Sequence, residues 1–247
     1  MTPSLRKRAA ARAVLGACAM FAGACATAPE KTPGTPGLTE IFPHVRFDKP
    51  RRLVEFDGVV PIDCHNPKTP RVYLEVTVCT PDTREHESLV VTGAKPSHVH
   101  AALLLAGLIP GEPGRFTFED RRMTAHPARG DAVRVTVAWR DASGRELESD
   151  PAGWVIDLTT GRTIVPARGP SAWVFAGSRI VRWQGAEYYD ADGTGTLVGL
   201  TTFGSETVAF TSTLSPEASL QEPAWIADGS RVPPMGTPVV VRIVPAE

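Results

Sequence analysis

Beyond residue 52 the chain alternates apolar and polar positions in short runs, broken repeatedly by turn residues. The clearest run spans residues 71–79, where Val72, Leu74, Val76 and Val78 fall on one side and Tyr73, Glu75, Thr77 and Cys79 on the other. A period of two marks a half-buried strand, because successive side chains of an extended chain point to opposite faces. The same reasoning predicts strands at 52–63, 86–92, 133–139, 145–147 and 153–158. Further short ones are expected at 172–176, 177–182, 196–203, 206–210 and 238–244. Turn chemistry at 66–70, 80–85 and 141–144 separates them. One segment reads as a helix, 97–107, with Ser97 as its N-cap and Gly107 placed to end it. The expected fold class is α+β: a β-rich single domain of short antiparallel strands, residues 51–247, with one main helix near residues 97–107.

Two segments of different character precede this body. Residues 1–12 carry Arg6, Lys7, Arg8 and Arg12 and no acid, and residues 13–24 are twelve small or apolar positions. A basic start and a short apolar stretch form a signal-peptide pattern, too short for the roughly 20 residues of a membrane-spanning helix. Ala22-Gly23-Ala24-Cys25 resembles a bacterial lipobox, with Ala22 where leucine is usual. Residues 1–25 therefore read as a lipoprotein-type signal peptide with Cys25 as the lipidated residue. Leu15-Gly16-Ala17-Cys18 is a similar string but leaves almost no apolar stretch behind Arg12. The alternative is cleavage at Ala24-Cys25-Ala26, freeing a soluble protein from Thr27. Residues 26–50 hold Pro29, Pro33, Pro36, Pro43 and Pro50, and such a stretch reads as an extended tether that builds neither helix nor sheet. The apolar run at 101–109 is only nine residues long, short of a membrane span.

Composition narrows the function class. Hydrophobic residues make 42% and charged residues 21%, inside the globular range, which excludes disorder over most of the length. Lys and Arg number 26 against 27 Asp and Glu; without the four N-terminal cations the balance is 22 against 27, a net −5. An acidic body does not favour nucleic acid, whose phosphates require a basic footprint.

The candidate chemistry lies early in the body. His65, His86, His98 and His100, four of the six histidines, fall in residues 64–100 with Cys64 and Cys79. Clustered His and Cys are the usual mark of a metal or nucleophile site, although neither C-x-x-C nor H-E-x-x-H occurs. A hairpin turn centred between Asp82 and Thr83 would set Cys79 opposite His86, roughly 5 Å apart at Cβ, a pairing that lowers a thiol's pKa. The plain alternative is a half-buried strand cysteine and a hydrogen-bonding hairpin histidine. A Cys64–Cys79 disulfide is disfavoured, because strand spacing separates them by more than about 20 Å. On the helix His98 should face outward with Ala102, and His100 inward with Leu103 and Leu104, as a neutral core residue or a site residue. Asp190-Ala191-Asp192-Gly193-Thr194-Gly195 resembles half a calcium loop without the closing acid, so a hairpin turn is expected there. The tryptophans at 139, 154, 173, 183 and 225 are read as core packing, with a ligand-stacking platform as the other role.

Residues 79–89 (CTPDTREHESL) and 94–107 (AKPSHVHAALLLAG) resemble the YdjY-domain family. Residues 173–178, Asp192-Gly193 leading to Thr201-Thr202-Phe203, and 233–237 agree, so the resemblance covers about residues 52–244. The family consists of exported bacterial proteins, often lipoproteins, without an established activity, so the resemblance hands over no catalytic residue. It directs attention to Arg84, Glu85 and His100 as binding residues, and to His86 and Glu87. Two functions follow as expectations. The first is an exported, lipid-anchored envelope module that binds a small ligand or an envelope protein. The second is a metal- or Cys/His-dependent hydrolase with Cys79, His86 and Glu87 as catalytic candidates and Cys79, His86 and His100 as candidate ligands of a divalent metal. Its location is then the periplasmic or outer face of a membrane, or the soluble periplasm.

Overall fold

The computed structural model describes residues 37–68, 71–120, 122–164, 173–212, 214–217 and 221–246; the signal segment and Cys25 lie outside them. Eleven strands form the main sheet: β1 (Thr39–Phe42), β2 (Val45–Asp48), β3 (Leu53–Val59), β4 (Val76–Cys79), β5 (Ser88–Val91), β6 (Ala132–Arg140), β7 (Glu146–Ser149), β8 (Trp173–Val174), β9 (Thr196–Gly199), β10 (Val208–Phe210) and β11 (Pro238–Pro245). Eight of them close on themselves in the order β3-β11-β6-β8-β10-β9-β4-β5, the last pairing back to β3 through Val59 and Val91. The result is an eight-stranded barrel, a closure that removes the exposed edges of an open sheet. β1 and β2 extend it beyond β3, and β7 pairs with β6 off the ring.

The β-rich character and the one main helix stand as expected, but three details of the sequence reading are corrected: strand direction, the tether and the cap of the helix. Two neighbouring pairs run parallel, β4 with β5 and β9 with β10. Each is joined by eight residues, 80–87 and 200–207, which suffices only because the strands are three or four residues long. The tether assigned to residues 26–50 is also too long, since β1 and β2 lie within it, paired antiparallel with each other, and β2 pairs antiparallel with β3. Pro43 interrupts nothing there: it stands in the β1–β2 turn beside His44, whose φ is 65°, while Val45 is buried in the core.

The helix α1 spans Pro96–Leu105. Lys95 is its N-cap and Pro96 opens it, so Ser97 is not the cap; proline suits the first turn, where its missing N–H is no loss. Pro96, Val99, Ala102 and Leu103 are buried. Gly107, at φ +75°, ends the helix as expected, with Leu108 N–H returning to the Leu103 carbonyl at 3.1 Å. Arg52 completes that end, donating Nε to the Ala106 carbonyl at 2.6 Å and Nη2 to that of Gly107 at 3.2 Å. Trp154 and Trp173 are fully buried, and Trp173, Phe210 and Trp225 stack edge to face with centroids 5.1 and 5.5 Å apart. For these tryptophans the packing role holds. Trp183 differs, as the site shows.

Candidate functional site

The two parallel crossovers meet. Residues 80–87 leave β4 at Cys79 and return to the other end of the same strand, where Ser88 pairs with Val76. The segment is held by its own side chains. The Glu85 carboxylate accepts the Asp82 and Thr83 N–H groups, the Thr83 hydroxyl donates to the Thr80 carbonyl at 2.6 Å, and Ser88 donates to that of Arg84 at 2.7 Å. Glu85 thus caps a turn, and its backbone hydrogen bonds hold its carboxyl below the ordinary range. A short 3₁₀ turn, Glu85–Glu87, completes the crossover.

Arg84 points to the second crossover, its guanidinium carbon 4.1 Å from the centre of the Phe203 ring. Its Nη1 lies 2.9 Å from Glu87 Oε1 and 3.5 Å from Glu75 Oε2. Two carboxylates share one cation. Burial first, and then the Glu87 charge, push the Glu75 pKa up to about 7 despite Arg84. In the second crossover Glu206 is buried and accepts the Phe203 and Gly204 N–H groups, while its Oε2 has no hydrogen-bond partner among the described residues. Burial raises its pKa.

The Cys79–His86 pair does not form. Because β4 and β5 are parallel, Cys79 lies opposite Val91 and Thr196. It is fully buried beneath the crossover, and burial raises its pKa against the hydrogen bonds from Ser88 and Thr83. His86 is 81% exposed, 3.7 Å from Glu87 Oε2. His100 sits elsewhere, its Nδ1 2.9 Å from the Tyr189 hydroxyl and its ring edge-on to Phe175 and Tyr189, and burial lowers its pKa. Among the described residues no group of three His, Cys, Asp or Glu side chains is placed to hold a metal ion. Cys79, His86 and His100 therefore do not make one ligand set. Cys64 and Cys79 are both free thiols. His98 does not simply face outward: its ring stacks on Phe42 with centroids 4.7 Å apart, while Ala102 is buried.

A second group of residues carries more of the surface chemistry than the sequence suggested. Asp190–Thr194 forms a short helix, α2, where a hairpin turn was expected. Asp192 accepts the Ser97 N–H at 2.8 Å and pairs with Lys95 Nζ at 3.1 Å, so it caps α1 from across the fold. Before α2, Ile180–Trp183 and Ala186–Tyr189 make a two-stranded ribbon. Its pairing places Val181, Trp183, Ala186 and Tyr188 on one face. Trp183 is 66% and Tyr188 51% exposed.

Two clefts flank α2. One, of about 620 Å³, lies between Trp183, Tyr188 and Val181 of the ribbon and Lys95, Asp192 and Gly193. The other, of about 490 Å³, is lined by Thr83, Arg84, His86, Glu87, Gly193 and Thr194. Gly193 belongs to both, and a Cβ there would meet nothing within 4 Å. Of the residues singled out from sequence, Arg84, His86 and Glu87 line a cleft, whereas Cys79, Glu85 and His100 line neither. Glu75, Lys95 and Tyr188 were not singled out from sequence, Asp192 was weighed only in the half calcium loop, and Trp183 only through the stacking role open to the tryptophans. The exposed ribbon could have been suspected from Gln184-Gly185 between two aromatic-rich runs.

The family model of the YdjY domain matches residues 45–244, which includes both crossovers, α1, α2 and both clefts. No curated protein and no solved structure matches the chain.

Proposed function

The chain belongs to the YdjY-domain family, and on that premise we propose that it is an exported cell-envelope protein, lipid-anchored through Cys25, that works as a binding module. One observation carries the binding role: an aromatic cleft and a charged cleft share Gly193 in their linings, which puts no side chain into either. Concave sites with an apolar wall and a few convergent polar groups are where small ligands are held. The basic and apolar N-terminal segments support export. The hydrolytic alternative has less support, because a buried thiol with a raised pKa is a poor nucleophile.

Anchoring is tested by fatty-acid labelling and membrane fractionation of the full-length chain in a bacterial host. The wild type should take up label and sediment with membranes, and Cys25→Ser should do neither; label on Cys25→Ser would refute the anchor. Binding is tested by thermal shift of the full-length chain against sugars, peptides, phosphate compounds and amines, since a ligand that prefers the folded state raises Tm. At least one class should raise the Tm of the wild type and leave Gly193→Leu, which puts a bulky side chain at the border of both clefts, unchanged. Equal responses in both proteins, or none in either, would overturn the binding role.

A further inference from the structure

The charge balance of the aromatic cleft narrows its ligand. The carboxylates around it each already hold a cation: Asp192 with Lys95 at 3.1 Å, Asp190 with Arg179 at 2.6 Å and Glu187 with Arg182 at 2.7 Å. The cleft therefore offers neither an uncompensated anion to draw an amine nor a free ammonium to draw a phosphate. Its two walls differ. Trp183 and Tyr188 are diagonal neighbours on one ribbon face, roughly 7–8 Å apart at Cα, and both stand exposed over the cavity. Facing them are the paired charges of Lys95 and Asp192 and the open backbone at Gly193.

A wholly apolar ligand would cover those ion pairs without replacing their water, which costs free energy for each polar group left unsatisfied. A hydroxylated ring suits both walls, with its C–H face on the aromatic side chains and its hydroxyls donating to carboxylate lone pairs that the ion pairs leave open. We propose that this cleft binds a neutral carbohydrate. The proposal deepens the binding-module reading and rests on it. The cavity of about 620 Å³ lies within the range of small-ligand sites, which suits a short segment of a glycan chain.

The test is isothermal titration calorimetry of the full-length chain and its variants in a non-glycosidic detergent, with tryptophan emission followed in the wild type. The probes are neutral hexasaccharides (cellohexaose, maltohexaose and chitohexaose), with inorganic phosphate, polygalacturonate and an amphipathic peptide for comparison. Because Trp183 is exposed while Trp154, Trp173 and Trp225 are buried, occupation should shift tryptophan emission to the blue, saturably. Trp183→Ala should weaken hexasaccharide binding about tenfold or more, and Trp183→Phe should restore most of it by keeping an aromatic face. Trp183 is a surface residue, so neither variant should lose the fold. Hexasaccharide binding that ignores Trp183→Ala would overturn the site. Binding of a comparison probe but of no hexasaccharide, with dependence on Trp183, would overturn the carbohydrate while leaving the binding module. No response to any probe would overturn both for this cleft.

Discussion

Glu75 is the residue whose environment departs most from what its position in the sequence suggests. It lies just before β4, on the polar side of the alternation at 71–79, where a strand carboxylate would ordinarily meet water. The second crossover instead covers it, with Leu200 and Thr201 N–H groups bound to its carbonyl at 3.1 and 2.9 Å, and Glu87 and Arg84 close over its side chain. Burial first, and then the Glu87 charge against that of Arg84, let Glu75 hold a proton to about pH 7. Its folded pKa is raised above the unfolded value, so the folded chain binds more protons than the unfolded one between about pH 4.5 and 7. Stability from this group is complete below that window and is lost as pH rises through it. Glu75→Gln, which keeps a hydrogen-bond donor toward Glu87, should flatten that decline. It should also make the protein more stable than wild type at pH 8, by on the order of 1 kcal/mol after solvent screening is allowed for. Urea unfolding at pH 5 and pH 8 reads this directly. An unchanged difference between the two pH values would show that the folded chain does not raise the proton affinity of Glu75.

At the scale of elements, the sequence disclosed what local chemistry decides and concealed what distant pairing decides. Gly107 ends α1 where its φ of +75° requires a residue without Cβ, and that was legible. The alternation at 71–79 was legible too, but all four residues of β4 are buried because a crossover covers the face that alternation assigned to water. Nothing in residues 79–88 distinguishes a hairpin from a short parallel return; that choice belongs to β9, which occupies the other flank of β4. Arg84 and Glu87 could therefore be singled out by residue type, while their meeting with Glu75 and Phe203 could not. Asp192 shows the same limit, since its cap on Ser97 joins residues 95 positions apart. α2 carries a glycine inside a five-residue helix, a position where glycine costs about 0.5–1 kcal/mol relative to alanine. Gly193→Ala, whose added carbon meets nothing within 4 Å, should raise Tm by a few degrees in a thermal melt. A lower Tm would mean that the backbone at 193 needs glycine's freedom, and that its openness to both clefts is incidental.

For the whole molecule the decisive feature is the seam that turns a sheet into a barrel. β3 meets β5 through a single ladder pair, Val59 with Val91, supported by the Thr92 hydroxyl on the Asp57 carbonyl at 2.5 Å. Gly58 allows that approach: a Cβ there would stand 2.6 Å from a Val90 methyl and 2.8 Å from the Val91 carbonyl oxygen. A methyl in contact with backbone cannot be relieved by turning a side chain, so β3 and β5 would have to separate. Elsewhere the ring is closed by longer ladders, with β6 and β11 paired over seven residues. The seam is thus where closure is weakest, and it lies beside β5, the strand on which the 80–87 crossover ends. Gly58→Ala should cost about 2 kcal/mol and lower Tm by roughly 4–8 °C. Hydrogen exchange should accelerate first at the amides of β3 and β5 while β6 and β11 stay protected. Because the charged cleft is built on that crossover, ligand binding there should weaken in the same variant before the fold is lost. An unchanged Tm with unchanged exchange would mean that β3 and β5 are held by the helix and the flanking strands, and that the barrel does not depend on its seam.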